Sequence, residues 1–299
     1  MGRRQLYRQA MAFDAVFLQR KTVNPWDAFW LRRYCPKLIY DFDDAIMYSD
    51  RSPERRCRGR LRRFRRTVAT SDVVIAGNDY LAAHARHYSS EVHVLPTALD
   101  LGPYSVTRPG SRDRKRRLVW IGSRSTLKYL AGMKAALEEI GRRHRDVVLR
   151  IVADAFFDLQ NMAVEKVTWS HQAEAMSLLT SDIGLAPLPD DAFSRGKCGF
   201  KVLQYQAAAL PVVTSPVGVN AEYVRDGVSG LHASGVEAWI GALSRLLGDA
   251  EQRAAMGRAG REEVVKFDLK LIGRRLEEII RSCVQVGSAD RSLTRSGGV

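Results

Sequence analysis

The chain contains 299 residues, of which 45% are hydrophobic and 27% are charged. This length and composition fit a globular protein with two domains of ordinary size. No run of about 18 apolar residues occurs, so no membrane-spanning helix is predicted, and the first residues lack the apolar core of a secretory signal. The four cysteines and six histidines show no metal-ligand spacing, which argues against a zinc site or a disulfide framework and favours a reducing cytoplasm.

Basic residues outnumber acidic ones, 47 to 33, which gives a net charge of +14. Such an excess predicts an anionic partner: a nucleotide, a membrane surface or a nucleic acid. It is concentrated in the run from Arg55 to Arg66, RRCRGRLRRFRR, which holds eight arginines. Leu61, Phe64 and Val68 recur at helical spacing, so the segment is either an amphipathic helix on an anionic membrane or an arginine-rich helix in solvent. Because aromatic residues do not alternate with the arginines, no nucleic-acid partner is expected.

Short apolar runs alternate with longer helical segments along the chain. In the first half, runs of strand composition cover residues 15–19, 38–42, 72–77 and 92–96. Helices are predicted at residues 25–34, 55–70 and 79–88. The polar, Gly- and Pro-containing stretch that follows predicts a linker. We therefore expect a first domain of residues 1–107 and a linker of residues 108–116.

The second half repeats this alternation. Its predicted strands are residues 117–122, 147–153, 164–169, 183–188, 211–215 and 230–233. Its predicted helices are residues 127–143, 171–180, 199–209, 219–225, 235–248 and 251–284. Buried strands that alternate with helices indicate an α/β fold whose parallel sheets are covered on both faces.

The sequence therefore predicts two Rossmann-like domains. The second, residues 117–265, has all the units of a doubly wound domain, and a C-terminal helix, residues 266–286, and a disordered tail, residues 287–299, follow it. The first domain offers four strands and is expected to be incomplete, because a doubly wound domain would need about two more βα units of roughly 30 residues each. Gly122 is not followed by a GxGxxG motif, which disfavours an NAD-dependent enzyme.

A glycine-containing loop, residues 194–199, leads into one of the predicted helices. The free backbone N–H groups and the helix dipole at such a helix start favour an anionic ligand. Lys197 and Lys201 would add positive charge for a diphosphate, and Gln204 and Tyr205 share the helical face of Lys201. The alternative is a buried helix capped by glycine, with both lysines in solvent.

The stretch from residue 193 to 233 resembles the donor-binding signature of family 4 glycosyltransferases, which have two Rossmann-like domains (the GT-B fold). The matching residues are Ala207, Pro211, Val212, Val213, Gly218, Glu222, Val224, Asp226, Gly227 and Gly230. The resemblance implies that the second domain binds a nucleotide-sugar donor and that no metal cofactor is needed. The donor-binding residues that it implies here are Gly196, Lys197, Gly199, Lys201, Gln204, Tyr205 and Glu222.

The resemblance includes a departure at two positions. Family members usually carry two glutamates eight residues apart, one near the sugar and phosphate and the other on the ribose. Gly196 and Gln204 stand at these positions here. We therefore expect Lys197 and Lys201 to hold the diphosphate instead.

The segment WIGSRSTLKYL, residues 120–130, resembles the family's turn whose basic pair contacts the donor diphosphate. It implies donor-binding roles for Gly122, Arg124 and Lys128. The alternative is an ordinary strand-to-helix turn with surface charge.

Polar residues follow two strands of the first domain. Asp43 and Asp44 end the apolar run LIYDF, where family 4 enzymes often present a His or Asp near the acceptor hydroxyl and the reacting sugar carbon. The resemblance implies a catalytic role for them, and capping of a helix is the alternative. Asn78 ends the next strand and either lines the acceptor side of the crevice or caps a helix.

These observations predict a bacterial glycosyltransferase of the retaining type, with a glycan, lipid-linked or small-molecule acceptor. It is expected in the cytoplasm, at the inner face of the membrane if Arg55 to Arg66 bind anionic lipid. The alternative is a truncated, non-catalytic relative that binds a nucleotide sugar or a partner protein without transfer.

Overall fold

The computed structural model describes residues 3–50, 57–105 and 115–295, which form two compact units. Unit 1 consists of Met1–Ala98, Asp191–Cys198 and Lys270–Val299. Unit 2 consists of Leu99–Asp190 and Gly199–Leu269. The division differs from the predicted domains, because a short internal segment and the C-terminal helix join unit 1. Most of the predicted linker, residues 108–114, lies outside the described residues.

Unit 1 is built on a four-stranded parallel sheet. Its strands, in spatial order, are β1 (Val16–Gln19), β2 (Leu38–Phe42), β3 (Val73–Ala76) and β4 (Val92–Val94). Its first helices are α1 (Arg3–Gln9), α2 (Pro25–Tyr34), α3 (Arg58–Thr70) and α4 (Asp79–Arg86). Since β1 to β4 follow one another across the sheet through right-handed crossovers, α2, α3 and α4 cover the same face.

Unit 2 is built on a six-stranded parallel sheet. Its strands are β5 (Arg116–Ile121), β6 (Val147–Ala153), β7 (Ala163–Thr168), β8 (Ile183–Ala186), β9 (Val212–Thr214) and β10 (Gly230–His232). Its helices are α5 (Leu127–Ala131), α6 (Lys134–Arg143), α7 (His171–Leu179), α8 (Phe200–Ala207), α9 (Val219–Tyr223), α10 (Val236–Gly248) and α11 (Ala250–Val264). The strand order is β10-β9-β8-β5-β6-β7, so the order reverses between β5 and β8. In such sheets ligands bind at the carboxyl ends of the strands on either side of this reversal.

The last helix, α12 (Leu269–Arg295), returns to unit 1. There its residues Leu276, Ile279, Ile280 and Cys283 pack against Ile39, Val73 and Ile75 of the sheet. The opposite face of the same strands, with Tyr40, Phe42 and Val74, packs against α3 and α4. Both faces of the sheet are therefore covered, which explains why its central strands are apolar without alternation.

Every strand predicted from the sequence forms within two residues of its predicted bounds. The helices differ in two places. The helix predicted over residues 127–143 is interrupted at Gly132 and Met133, because Gly132 lowers helix propensity. The helix predicted over residues 251–284 is broken by a 3₁₀ turn, Val265–Phe267. There the backbone of Leu99 accepts one hydrogen bond from Leu269 and donates one to Phe267.

The chain ends were also predicted differently. Helix α1 forms where no element was predicted. At the other end, α12 continues to Arg295 in place of the disordered tail predicted from residue 287, since its sequence contains no proline to stop it. Residues 296–299 lie outside the described part of the chain. No helix within the described ranges has the length and hydrophobicity to cross a membrane.

Two glycines in neighbouring helices of unit 2 provide a matched test of its packing. A Cβ on Gly257 of α11 would lie 2.1 Å from the carbonyl oxygen of Ala209, whereas a Cβ on Gly241 of α10 would meet nothing within 4 Å. We expect Gly257→Ala to lower the free energy of unfolding by about 1–3 kcal/mol through overpacking. Gly241→Ala should raise it by about 0.5–1 kcal/mol, because alanine favours a helix. Urea unfolding followed by circular dichroism measures both, and an unchanged midpoint for Gly257→Ala would contradict the packing.

Candidate functional site

The turn after β5 lies at the point where the strand order of unit 2 reverses. A Cβ on Gly122 would lie 2.4 Å from the Trp120 ring, so the turn can pass over this buried ring only with glycine. Beyond it, the backbone N–H of Ser123 donates to Thr126 Oγ1 (3.1 Å) and that of Arg124 donates to a carboxylate oxygen of Asp154 (2.5 Å). The Arg124 side chain is exposed, and the turn is fixed in place beside it.

Helix α8 starts beside the same strand end. Gly199 caps it with φ +65°, and a Cβ there would lie 2.9 Å from the Tyr223 ring, so both conformation and space require glycine. The Lys201 ammonium lies 4.5 Å from the centre of the Trp120 ring. Since Gly122 packs on the same ring, the structure brings the two predicted donor-binding segments of unit 2 together. The Lys128 side chain is exposed on α5, with its ammonium 5.3 Å from the centre of the Tyr129 ring.

Tyr205 lies beneath this site, not in it. Its side chain is fully buried, and its hydroxyl accepts a hydrogen bond from the backbone N–H of Ile121 (3.0 Å) and donates one to the carbonyl of Leu185 (3.1 Å). Burial raises the pKa of Tyr205. Tyr205 was expected to contact the donor because it shares a helical face with Lys201. Its role is structural instead, because β5 and β8 use both hydrogen-bonding capacities of the hydroxyl.

Gln204 is also buried, and it holds a carboxylate that the sequence analysis missed. Its amide donates to Glu174 Oε1 (2.6 Å), and the indole N–H of Trp169 donates to Glu174 Oε2 (2.7 Å). The Tyr104 hydroxyl lies 3.4 Å from Glu174 Oε1. Trp169 and Glu174 follow the carboxyl end of β7, so the rule that ligands meet strand ends could have identified them. Glu222, by contrast, is exposed on α9.

Four charged side chains meet in unit 1. Arg20, directly after β1, places its Nε 3.0 Å from Asp43 Oδ1 and its Nη2 against Asp44 Oδ2. Lys197 Nζ lies 3.3 Å from Asp44 Oδ1. The helix-capping alternative for the two acids is not formed, because the next helix starts at Arg58. No sequence pattern identifies Arg20, whose left-handed φ of 60° only the structure shows.

The environment of Asp43 changes its proton affinity. Burial raises its pKa, Arg20 opposes this rise, Asp44 adds to it, and Lys197 opposes it more weakly. Its Oδ1 is buried, and the Arg20 Nε that lies 3.0 Å away forms an ion pair with it without hydrogen-bond geometry. Asp43 therefore holds its proton to higher pH than a free aspartate does, which suits a group that orients or exchanges protons with a hydroxyl.

Asn78 fixes the segment that carries Lys197. Its side-chain oxygen accepts from the backbone N–H of Leu81 (2.9 Å), and its amide nitrogen donates to the carbonyls of Gly196 and Lys197 (both 3.3 Å). The capping alternative is thus formed, and the buried side chain does not line a crevice. A Cβ on Gly196 would lie 2.5 Å from the Ala45 Cβ. No side chain fits at Gly196, which accounts for the missing glutamate, and a donor contact of its backbone stays a prediction.

Cys198 closes the same segment. Its thiol donates to the carbonyl of Asp43 (3.2 Å), and burial raises its pKa to about 12. The thiol stays protonated at physiological pH and acts as a packing group.

The arginine-rich helix α3 presents only its charged face. Phe64 and Val68 are buried in the core of unit 1, where Phe64 contacts the Phe42 ring at 5.3 Å between centroids. The amphipathic helix with Leu61, Phe64 and Val68 toward lipid is therefore wrong, because these side chains cover the sheet. Its exposed arginines are Arg58, Arg60, Arg62, Arg63 and Arg65. Arg55 and Arg56 lie outside the described residues.

Metal-ligand side chains do not converge in the described part of the chain: no three His, Cys, Asp or Glu residues there form a group that could hold an ion.

Comparison with known proteins agrees with the geometry of unit 2. The family of glycosyl transferases group 1 matches residues 115–249. The D-inositol 3-phosphate glycosyltransferase of Segniliparus rotundus is 26% identical over 252 residues, which cover 74% of this chain and 54% of the relative. The GDP-mannose-dependent alpha-(1-6)-phosphatidylinositol monomannoside mannosyltransferase of Mycolicibacterium smegmatis is 28% identical over 217 residues, 64% of this chain and 56% of the relative. The chain spans about half the length of these curated relatives.

Solved structures share the fold over almost the whole chain. Sucrose-phosphate synthase from Thermosynechococcus elongatus has a TM-score of 0.76 at 15% identity, covering 94% of this chain and 76% of its own. Anabaena HepE, solved in complex with UDP-glucose, has a TM-score of 0.72 at 14% identity, covering 93% and 81%. These likenesses confirm the predicted α/β fold with two Rossmann-like parallel sheets, the GT-B type.

The ion pairs of Asp43 predict how its titration responds to loss of Arg20. Arg20→Ala removes the cation that lowers the pKa of Asp43, so this pKa should rise further, as measured by NMR titration of the carboxyl carbon. A raised pKa means that the folded state binds this proton more tightly than the unfolded state does. The contribution of Asp43 to stability therefore falls as pH rises through the folded pKa, and the variant shifts this fall to higher pH.

Arg33→Ala is the control for this titration, because Arg33 is exposed on α2 and contributes nothing to the Asp43 shift. An unchanged or lowered Asp43 pKa in Arg20→Ala would show that the ion pair does not form.

The Tyr205 hydroxyl gives a separate prediction for unit 2. Tyr205→Phe keeps the ring and leaves the Ile121 N–H and the Leu185 carbonyl without their partner. We expect the free energy of unfolding to fall by about 1–3 kcal/mol, measured by urea unfolding. Ligand affinity of the folded variant should be unchanged, and a selective loss of affinity without loss of stability would return Tyr205 to the site.

Proposed function

We propose that this chain, whose residues 115–249 match the glycosyl transferases group 1 family, transfers a sugar from a nucleotide-sugar donor bound by unit 2. One observation carries the proposal. The Gly122 turn and the Lys201 ammonium both lie against the Trp120 ring, at the point where the strand order of the sheet reverses. This is the place where open α/β sheets bind ligands. A glycine-lined turn, a helix start and a lysine together match a diphosphate.

The proposed diphosphate site consists of Lys201, Arg124, Lys128 and the first N–H groups of α8, which begins at Gly199. Lys197 is the weaker candidate of the two lysines, since its ammonium already pairs with Asp44 in unit 1. Positive side chains in these places would stabilise the nucleotide diphosphate as it leaves. Glu222, exposed on α9, remains a proposed donor contact.

The proposed nucleoside site lies at the carboxyl end of β7. Trp169 is 43% exposed and contacts the His171 ring, so its face can pack against a base. Glu174 is held beside it by Gln204 and can accept hydrogen bonds from ribose hydroxyls. In this proposal Glu174 binds the ribose in place of the glutamate that family members carry at the position of Gln204.

Asp43 and Asp44 of unit 1 are the proposed catalytic residues, which orient the acceptor hydroxyl or the reacting sugar. The acceptor is proposed to be a glycan, a lipid-linked molecule or a small molecule, and the transfer to retain the anomeric configuration. The two relatives named above act on inositol-containing acceptors according to their names, which supports a polyol or lipid-linked acceptor. A cytoplasmic location suits the four cysteines, which are all free.

A non-catalytic, nucleotide-sugar-binding protein is the second candidate. It is favoured by the two positions where the family's glutamates are replaced. Gly196 has no room for a side chain, and Gln204 is buried. Binding and transfer therefore need separate measurements.

Donor binding is tested by the rise of the thermal midpoint with a panel of UDP-, GDP- and ADP-sugars, since a ligand of the folded state stabilises it. Lys201→Ala should weaken binding of the best donor by about 10- to 150-fold, because a hydrogen bond to a charged group contributes about 1.5–3 kcal/mol. Lys266→Ala is the control, as its ammonium lies by the Phe267 ring of the 3₁₀ turn and takes no part in the proposed diphosphate site. No shift with any nucleotide sugar would refute the proposal.

Transfer is then measured with the donor that binds. Asp43→Asn and Asp44→Asn should leave donor affinity unchanged and lower turnover. If the wild-type chain binds a donor but neither transfers nor hydrolyses it, the non-catalytic candidate holds.

A further inference from the structure

Helix α2 presents aromatic side chains on its outer side. Its inner side, with Ala28 and Leu31, packs into the core of unit 1. A helix that covers a sheet is normally polar on the opposite side. Here Trp26 is 46% exposed and Phe29 is 61% exposed.

The exposed rings form one continuous surface with their neighbours. Trp30 contacts Trp26 at 5.8 Å, Phe29 at 5.0 Å and Tyr34 at 5.4 Å between ring centroids. We call these four residues the aromatic ridge. Helix α1 extends it, since Tyr7 contacts Trp26 at 6.1 Å. The ridge is therefore an apolar surface several residues wide, and not a single exposed side chain.

The arginine-rich helix α3 lies beside α2. The backbone N–H of Val23, just before α2, donates to Thr67 Oγ1 (2.9 Å), and Arg66 donates to the Val23 carbonyl (3.5 Å). Helix α3 has no acidic residue, and the one acid of α2, Asp27, accepts a hydrogen bond from Tyr7. Helix α3, with its exposed arginines, therefore lies beside the helix that carries the ridge, and the two helices contain no acid other than Asp27.

We propose that the α2–α3 face of unit 1 docks on the surface of an anionic lipid bilayer. The ridge rings would lie at the boundary between headgroups and acyl chains, where Trp and Tyr are favoured. The α3 arginines would contact the lipid phosphates, which contributes about 1 kcal/mol for each residue near the surface. The purpose of docking, access to a lipid-linked acceptor, rests on the proposed function, whereas the docking itself rests on this surface.

The two helices contribute different interactions to docking. Helix α3 cannot insert, because Phe64 and Val68 are buried against the sheet. The apolar part of binding must then come from α2. Arginines alone would give binding that salt abolishes, whereas rings in the acyl boundary give a part that resists salt. An acidic protein partner could pair with the arginines, but it would not place the aromatic rings in an acyl-chain environment.

Vesicle sedimentation of the full chain tests the proposal, with vesicles of phosphatidylcholine alone or mixed with phosphatidylglycerol. Wild type should bind the mixed vesicles and retain part of this binding at high salt. Trp26→Ala with Phe29→Ala should weaken binding at least about tenfold and remove the salt-resistant part. Arg62→Gln with Arg63→Gln should weaken it about 30-fold.

Matched controls remove the same chemistry elsewhere. Met176→Ala deletes a side chain that is 51% exposed on α7, and Arg258→Gln with Arg274→Gln deletes two exposed arginines on α11 and α12. Neither should change vesicle binding. Lipids with brominated acyl chains should quench the wild-type tryptophan fluorescence, and Trp26→Phe should reduce this quenching. Circular dichroism checks that each variant folds.

Three outcomes overturn the proposal: no preference for anionic vesicles, no quenching by the brominated lipids, or ridge variants that bind as wild type does. A fall in sedimenting mass of the ridge variant without vesicles would show that a second copy covers the ridge. Nucleotide-sugar binding is measured on the same samples without vesicles. Lost docking with retained donor binding refutes only the docking, and docking without donor binding refutes only the proposed function.

Discussion

The hydroxyl of Tyr205 connects the two strands on which the candidate donor site of unit 2 depends. It bridges the Ile121 N–H and the Leu185 carbonyl, so β5 and β8 are held together where the strand order reverses. Directly above Ile121, the chain turns at Gly122 over the Trp120 ring. The backbone groups, the lysine and the helix start of the site therefore stand on a buried support in which the Tyr205 hydroxyl uses both of its hydrogen-bonding capacities.

A comparable constraint acts in unit 1. Asn78 holds the carbonyls of Gly196 and Lys197 while it caps α4, and Gly196 fits against Ala45 only because it has no side chain. The segment is thereby fixed so that Lys197 meets Asp44. The absence of a glutamate at position 196 is a packing requirement of this arrangement. Glycine at this position contributes no side chain to the site, but its backbone carbonyl accepts a hydrogen bond that holds the segment in place.

The strands were predictable because each is a short apolar run, and a parallel sheet buried on both faces requires such runs. The site was predictable only in part. The glycines at positions 122 and 199 indicated the two turns, because tight turns require residues without a side chain. Helical spacing could not predict that the Tyr205 side chain packs against the sheet. Periodicity shows which residues share a face of a helix, but it does not show what that face contacts. For the same reason helical spacing left open whether the apolar side of α3 faces lipid, and the structure places that side against the core. Arg20 reaches Asp43 and Asp44 through tertiary contacts alone, which no local pattern records.

The pair Gln204 and Glu174 shows how the departure from the family pattern can be accommodated. If position 204 carried a glutamate, its carboxylate would lie about where the Gln204 amide now meets Glu174 at 2.6 Å. Two carboxylates that close cannot both be ionised, and one would have to hold a proton. With glutamine, the amide donates to Glu174, and the pair carries a single negative charge that α7 presents beside Trp169. In the proposed function, the carboxylate available to a ribose therefore lies on α7 instead of α8, and Lys201 is the charge that the first turn of α8 offers to a diphosphate.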